Sequence, residues 1–125
     1  MSKAVLLAVL TMAVAAPALA QSMNAESFYR RAVKLQNKGP LALFQRGELN
    51  ALMNEVEAAS DRAKANRSAA VEAGRSPRFC PPASGRLRLN SSELMRGIGA
   101  IPQGERQRID MTEAMTRFFA GKFPC

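Results

Sequence analysis

Residues 49–63 read LNALMNEVEAASDRA and set Leu49, Leu52, Val56, Ala59 and Ala63 at alternating steps of three and four. That spacing lines apolar side chains along one side of a helix and leaves Glu55, Glu57 and Asp61 as its solvated face. The pattern predicts a helix from about residue 41, just after Pro40, into the mid-60s and as far as Ala73, where Gly74, Ser76 and Pro77 stop it. One apolar stripe is stable only when other elements cover it, and the flanking sequence offers more helices for that purpose.

Upstream, Asn24 can cap a helix with Glu26 in its first turn; Phe28, Ala32 and Leu35 mark one face before Lys38-Gly39-Pro40 ends it, giving a first helix over about 25–38. Downstream, Phe79-Cys80-Pro81-Pro82-Ala83-Ser84-Gly85 is loop by composition. Leu87 and Leu89 then alternate with Arg86 and Arg88, as in a short extended segment. Asn90 with Glu93 reads as a capping box opening a third helix, whose apolar face is Leu94, Ile98 and Ile101 before Pro102. Gly97 and Gly99 weaken that helix by about 1 kcal/mol each relative to Ala. From Gln103 a fourth helix carries Ile109, Met111, Met115, Phe118 and Phe119 to about residue 121. The expectation is a compact all-α bundle of about four helices with a long central loop.

The beginning of the chain has a different character. Lys3 precedes an apolar run from Ala4 to Ala16, Pro17 breaks it, and Ala18-Leu19-Ala20 supplies a small-x-small pattern, so residues 1–20 read as a signal peptide cut after Ala20. The run is shorter than the ~20 residues that span a bilayer. The domain proper is then residues 21–125, placed in an extracytoplasmic space for which a bacterial periplasm fits best. In that oxidising compartment Cys80 and Cys125 are expected to pair. A reactive or metal-binding thiol would need a neighbouring base, a CxxC or further ligands, and the sequence has none.

Charge is concentrated. The chain carries 18 Lys and Arg against 10 Asp and Glu, and residues 62–88 hold Arg62, Lys64, Arg67, Arg75, Arg78, Arg86 and Arg88 against Glu72 alone. Such a field favours an acidic partner and fast encounter, or simply forms a solvated basic surface. Nucleic acid is a poor fit, because a secreted domain rarely meets it and only Phe79 is present in this stretch to stack on a base. The chain has no His, which removes the usual nucleophile triads and imidazole bases. Gly97-Ile98-Gly99 follows no strand and is no phosphate loop. Asn66-Arg67-Ser68 and Asn90-Ser91-Ser92 match a glycosylation acceptor pattern short enough to arise by chance. No enzyme activity, cofactor or metal is expected.

Phe79-Cys80-Pro81-Pro82, the helix opening at Glu93-Leu94, Pro102, and the closing Phe118-Phe119-Ala120-Gly121-Lys122-Phe123-Pro124-Cys125 together resemble the Rap/Tai family of type VI secretion amidase immunity proteins. The resemblance covers residues 79–125 and matches Cys80 and Cys125 to motif positions. It implies a periplasmic protein, often dimeric, that binds a peptidoglycan amidase effector and occludes its cleft. Arg75, Arg78, Phe79, Arg86 and Arg88 are the expected contact residues, since Arg and aromatic side chains are favoured as anchors. The rival expectation is a non-inhibitory envelope-associated protein whose basic stretch binds anionic lipid or cell-wall polymer.

Overall fold

The computed structural model of the chain describes residues 22–82 and 89–125. The expected signal peptide, the Ala20 cleavage point and the segment with Arg86, Leu87 and Arg88 lie outside them. The described residues form α1 (Ala25–Gln36), a 3-10 helix (Gly39–Phe44), α2 (Arg46–Glu72), α3 (Ser91–Ala100), α4 (Gln103–Arg106) and α5 (Met111–Lys122). No strand occurs among them, and the all-α expectation holds with one isolated antiparallel bridge between Asn24 and Asp110.

Asn24 caps α1 as expected, its side-chain oxygen accepting the N–H groups of Glu26 and Ser27 at 3.0 and 3.1 Å. Phe28, Ala32 and Leu35 turn inward. The second helix begins later than its apolar pattern predicts. Gly39 takes φ +54°, Pro40 follows it, and the chain winds as a 3-10 turn through Phe44 before α2 opens at Arg46. The far end of α2 is closed by Gly74 at φ +73°, with Gly74 N–H donating to Val71 C=O at 3.0 Å and Arg75 N–H to Ala70 C=O at 2.8 Å. Those two bonds are a Schellman cap, the physical stop behind the glycine signal.

Leu52, Ala59 and Ala63 on α2 are buried, with Leu49 and Val56 partly so, and α2 packs most extensively on α5. From α5 come Met111, Ala114, Met115, Phe118 and Phe119, the expected Met and Phe stripe, as core. Asn90 caps α3 through the N–H groups of Ser92 and Glu93. The glycines of α3 have a reason the sequence did not reveal. A Cβ at Gly97 would stand 2.7 Å from Phe118 Cδ2, and one at Gly99 would stand 2.9 Å from the Tyr29 hydroxyl. Helix α3 therefore trades helix propensity for close approach to α5 and α1.

The single fourth helix expected from Gln103 is instead two elements. After one turn, Asp110 becomes a new N-cap, accepting the Glu113 N–H at 2.9 Å. The backbone on either side of it is claimed by the start of the domain: Ala25 N–H donates to Ile109 C=O at 3.0 Å, and Met111 N–H to Met23 C=O at 2.7 Å. Helical continuity through 107–110 loses to this pairing. Arg106, at the end of α4, is buried: Nε donates to Glu26 at 2.6 Å, Nη1 donates to Ile101 C=O at 2.6 Å and Gly99 C=O at 3.1 Å, and the guanidinium lies 4.3 Å from the Tyr29 ring centre. It joins α1 to the α3–α4 corner.

Candidate functional site

Cys80 and Cys125 form a disulfide, with Cα atoms 4.8 Å apart. Cys80 N–H donates to Phe123 C=O at 2.8 Å, and Phe79, Phe119 and Phe123 gather beneath, with the Phe79 and Phe119 ring centres 5.1 Å apart. The two motifs that flank the cysteines in sequence thus meet in space and hold the segment Arg75–Phe79 against α5.

Beside this staple, the C-terminal half of α2, the Arg75–Phe79 segment and the first turns of α5 enclose a groove of about 770 Å³. Its floor includes Ala63, Ala70 and Thr116, and its rim carries Arg62, Arg67, Arg75 and Arg78 against Asp110 and Glu113. Three of the four arginines are occupied within the fold. Arg62 donates from Nε to Thr112 Oγ1 at 2.8 Å and from Nη2 to Ser22 Oγ at 3.1 Å and Glu55 Oε1 at 3.3 Å. Arg67 Nε donates to Phe79 C=O at 2.7 Å, and its guanidinium lies 6.0 Å from the Phe79 ring centre. Arg78 makes a two-pronged pair with Glu113, its Nη2 lying 2.8 Å from Oε1. Glu113 also accepts from Arg117 Nε at 3.2 Å, and Arg117 pairs onward with Glu105. The hydrogen bond from Arg78, assisted by that from Arg117, holds the Glu113 carboxyl below its usual range. The hydrogen bond to Glu113 in turn pushes the Arg78 guanidinium above its ordinary value, so that its charge is held more firmly.

Arg75 and Lys64 are exposed and make no side-chain hydrogen bond or ion pair among the described residues. The five expected contact residues therefore separate. Arg75 is available at the groove mouth, and Arg78 is exposed but held by Glu113. Phe79 is only 1% exposed and belongs to the core, so its ring offers an incoming partner almost nothing to touch. Arg86 and Arg88 lie outside the described residues. Glu55, expected on the solvated face, is instead partly buried and accepts the Met23 N–H at 2.8 Å as well as Arg62. The acidic wall of the groove escaped the sequence reading, because Arg78 and Glu113 are 35 residues apart and no local pattern links them. Asp110 with Glu113 three residues on was the one available signal, a helix start hidden inside a continuous apolar pattern.

A second groove, of about 660 Å³, runs between α1, α2 and the start of α3 and is lined by Leu35, Leu49, Met53, Val56, Leu94 and Met95 among others. Among the described residues no three Cys, Asp or Glu side chains converge as metal ligands, and no helix is long and apolar enough to cross a membrane. Chemically, the first groove can take an anionic group at Arg75 and the free edge of Arg67, with water displaced from a small apolar floor. Comparison of the chain with protein-family profiles, with curated proteins and with solved structures finds no match.

Proposed function

We propose that this is a binding protein of the immunity type, which occupies the cleft of a peptidoglycan amidase effector of a type VI secretion system in the periplasm and does no chemistry itself. The observation that carries the reading is the arginine-rimmed groove beside the Cys80–Cys125 staple, with Arg75 at its edge unpartnered among the described residues. A surface of this kind suits inhibition by occlusion. Its shape is held by the disulfide and by the Arg78–Glu113 pair, so little ordering cost falls due when a partner arrives. A free guanidinium at a concave edge is a good anchor for an acidic side chain, within an interface that would bury about 800 Å² on each side.

Co-expression of the chain with a periplasm-directed amidase effector from the same organism tests this. Lysis is suppressed by the wild-type chain, and Arg75→Glu lowers affinity for the purified effector by about tenfold or more. Unrelieved lysis beside well-expressed, folded chain would overturn the reading. The rival, general binding of the same basic edge to anionic lipid or cell-wall polymer, is separated by salt. Polyanion binding collapses as ionic strength rises, whereas a shaped protein interface keeps much of its affinity.

A further inference from the structure

The turn between α1 and α2 presents Leu41, Leu43 and Phe44 to solvent at 63%, 66% and 86% exposure. Only Ala42 of that turn packs on the core. Three large apolar side chains within four residues, standing out from the body instead of covering it, are contrary to what a surface turn ordinarily carries. Their surroundings are basic. Lys38 immediately precedes the 3-10 helix and Arg46 follows it; Lys34 lies one turn back on α1. Residues 31–48 contain Arg31, Lys34, Lys38 and Arg46 against Glu48 alone. Glu48 is already spoken for, gripped by Arg31 at 2.7 and 2.8 Å and held below its usual carboxylate range by that pair, with Lys34 and Lys38 adding to the pull.

We propose that this turn is a membrane-docking tip that inserts Leu41, Leu43 and Phe44 into the interfacial layer of a bilayer containing anionic phospholipid, with Lys34, Lys38 and Arg46 on the headgroups. The pairing of an exposed apolar point with a basic collar is the combination that gives interfacial binding its two contributions, one from buried area and one from attraction to anionic lipid. Charge decides between occupants. A second copy meeting this tip face to face would set one basic collar against its twin, whereas an anionic leaflet neutralises the collar while covering the apolar side chains. The tip is independent of the groove beside Arg75, and the groove could fail as an inhibitor surface while the tip still binds lipid.

The chain has no Trp, so Phe44→Trp places its one tryptophan at the point of contact, excited apart from Tyr29 at the red edge of the absorption band. In the Phe44→Trp chain recovered from the periplasm, emission shifts to the blue on adding vesicles of phosphatidylcholine with phosphatidylglycerol and is quenched by brominated acyl chains, with a much smaller response to phosphatidylcholine alone. In the otherwise wild-type chain, Leu43→Ser with Phe44→Ser weakens co-sedimentation with the mixed vesicles by about tenfold or more. Lys38→Glu with Arg46→Glu weakens it by a similar factor, and circular dichroism melts of both variants stay unchanged. The proposal is overturned by emission of the Phe44→Trp chain that is indifferent to vesicles, or by loss of concentration-dependent dimers in Leu43→Ser with Phe44→Ser at unchanged vesicle binding, which would assign the tip to a second copy. Vesicle binding that survives both pairs of substitutions and disappears with Arg75→Glu overturns it equally.

Discussion

Gly97 and Gly121 are both glycines inside helices, and they should respond in opposite directions to the same substitution. At Gly121 nothing lies within 4 Å of an added Cβ, so Gly121→Ala stabilises by up to about 1 kcal/mol through helix propensity and a less free unfolded chain. At Gly97 the added carbon would stand 2.7 Å from the Phe118 ring, and Gly97→Ala destabilises by about 1–3 kcal/mol despite the same propensity gain. Urea unfolding of the two variants measures both signs. Arg106 is the other residue on which much depends. Arg106→Ala leaves Glu26 buried without its main partner and frees the carbonyls of Gly99 and Ile101, a loss of about 3 kcal/mol or more in the same measurement.

At the scale of elements, the segment Arg75–Cys80 has no regular structure and depends on its attachments: the Schellman cap at Gly74, the Arg78–Glu113 pair and the disulfide. The disulfide closes a loop of 45 residues, for which the chain-entropy argument gives about 4 kcal/mol. Reduction, or Cys80→Ser with Cys125→Ser, therefore lowers unfolding free energy by about that amount, read by thermal melts with and without reductant. These elements also show where the sequence was legible. The α1 and α3 caps and the glycine stop of α2 follow from short-range chemistry that a few residues carry, and the cysteine pair follows from there being two cysteines to join. The break before Met111 does not, because the competitor that wins there is backbone pairing with Met23–Ala25, remote in the chain. Phe79 misleads for a related reason: an aromatic in a Pro-rich basic loop looks exposed until the staple folds it onto Phe119.

For the molecule as a whole, acid sensitivity is set by carboxylates paired with arginine. Glu26, Glu48 and Glu113 are all lowered from 4.5, by hydrogen bonds first from Arg106, Arg31 and Arg78 respectively. A carboxyl whose folded value lies below its unfolded one contributes stability that is complete above the unfolded value and is lost as pH falls through the folded one. Stability should accordingly be level from neutrality down to about pH 5 and decline below about 4.5, a fall that melts across that range will record. With no His, no step near pH 6 accompanies it. The groove was only half legible at this scale: its basic side is a local run of sequence, and its acidic side arrives from α5.

The bridge between Asn24 and Asp110 has a bearing on how fast this domain can form. Ser22 and Thr112, hydrogen bonded next to it, are 90 residues apart in the chain. Helical proteins usually fold quickly because their contacts are local, yet here the opening turns of α1 and α5 are tied by contacts of near-maximal sequence separation. Contact order of this kind delays the last step until almost all of the domain is present, and a chain emerging N-terminus first stays open until α5 follows.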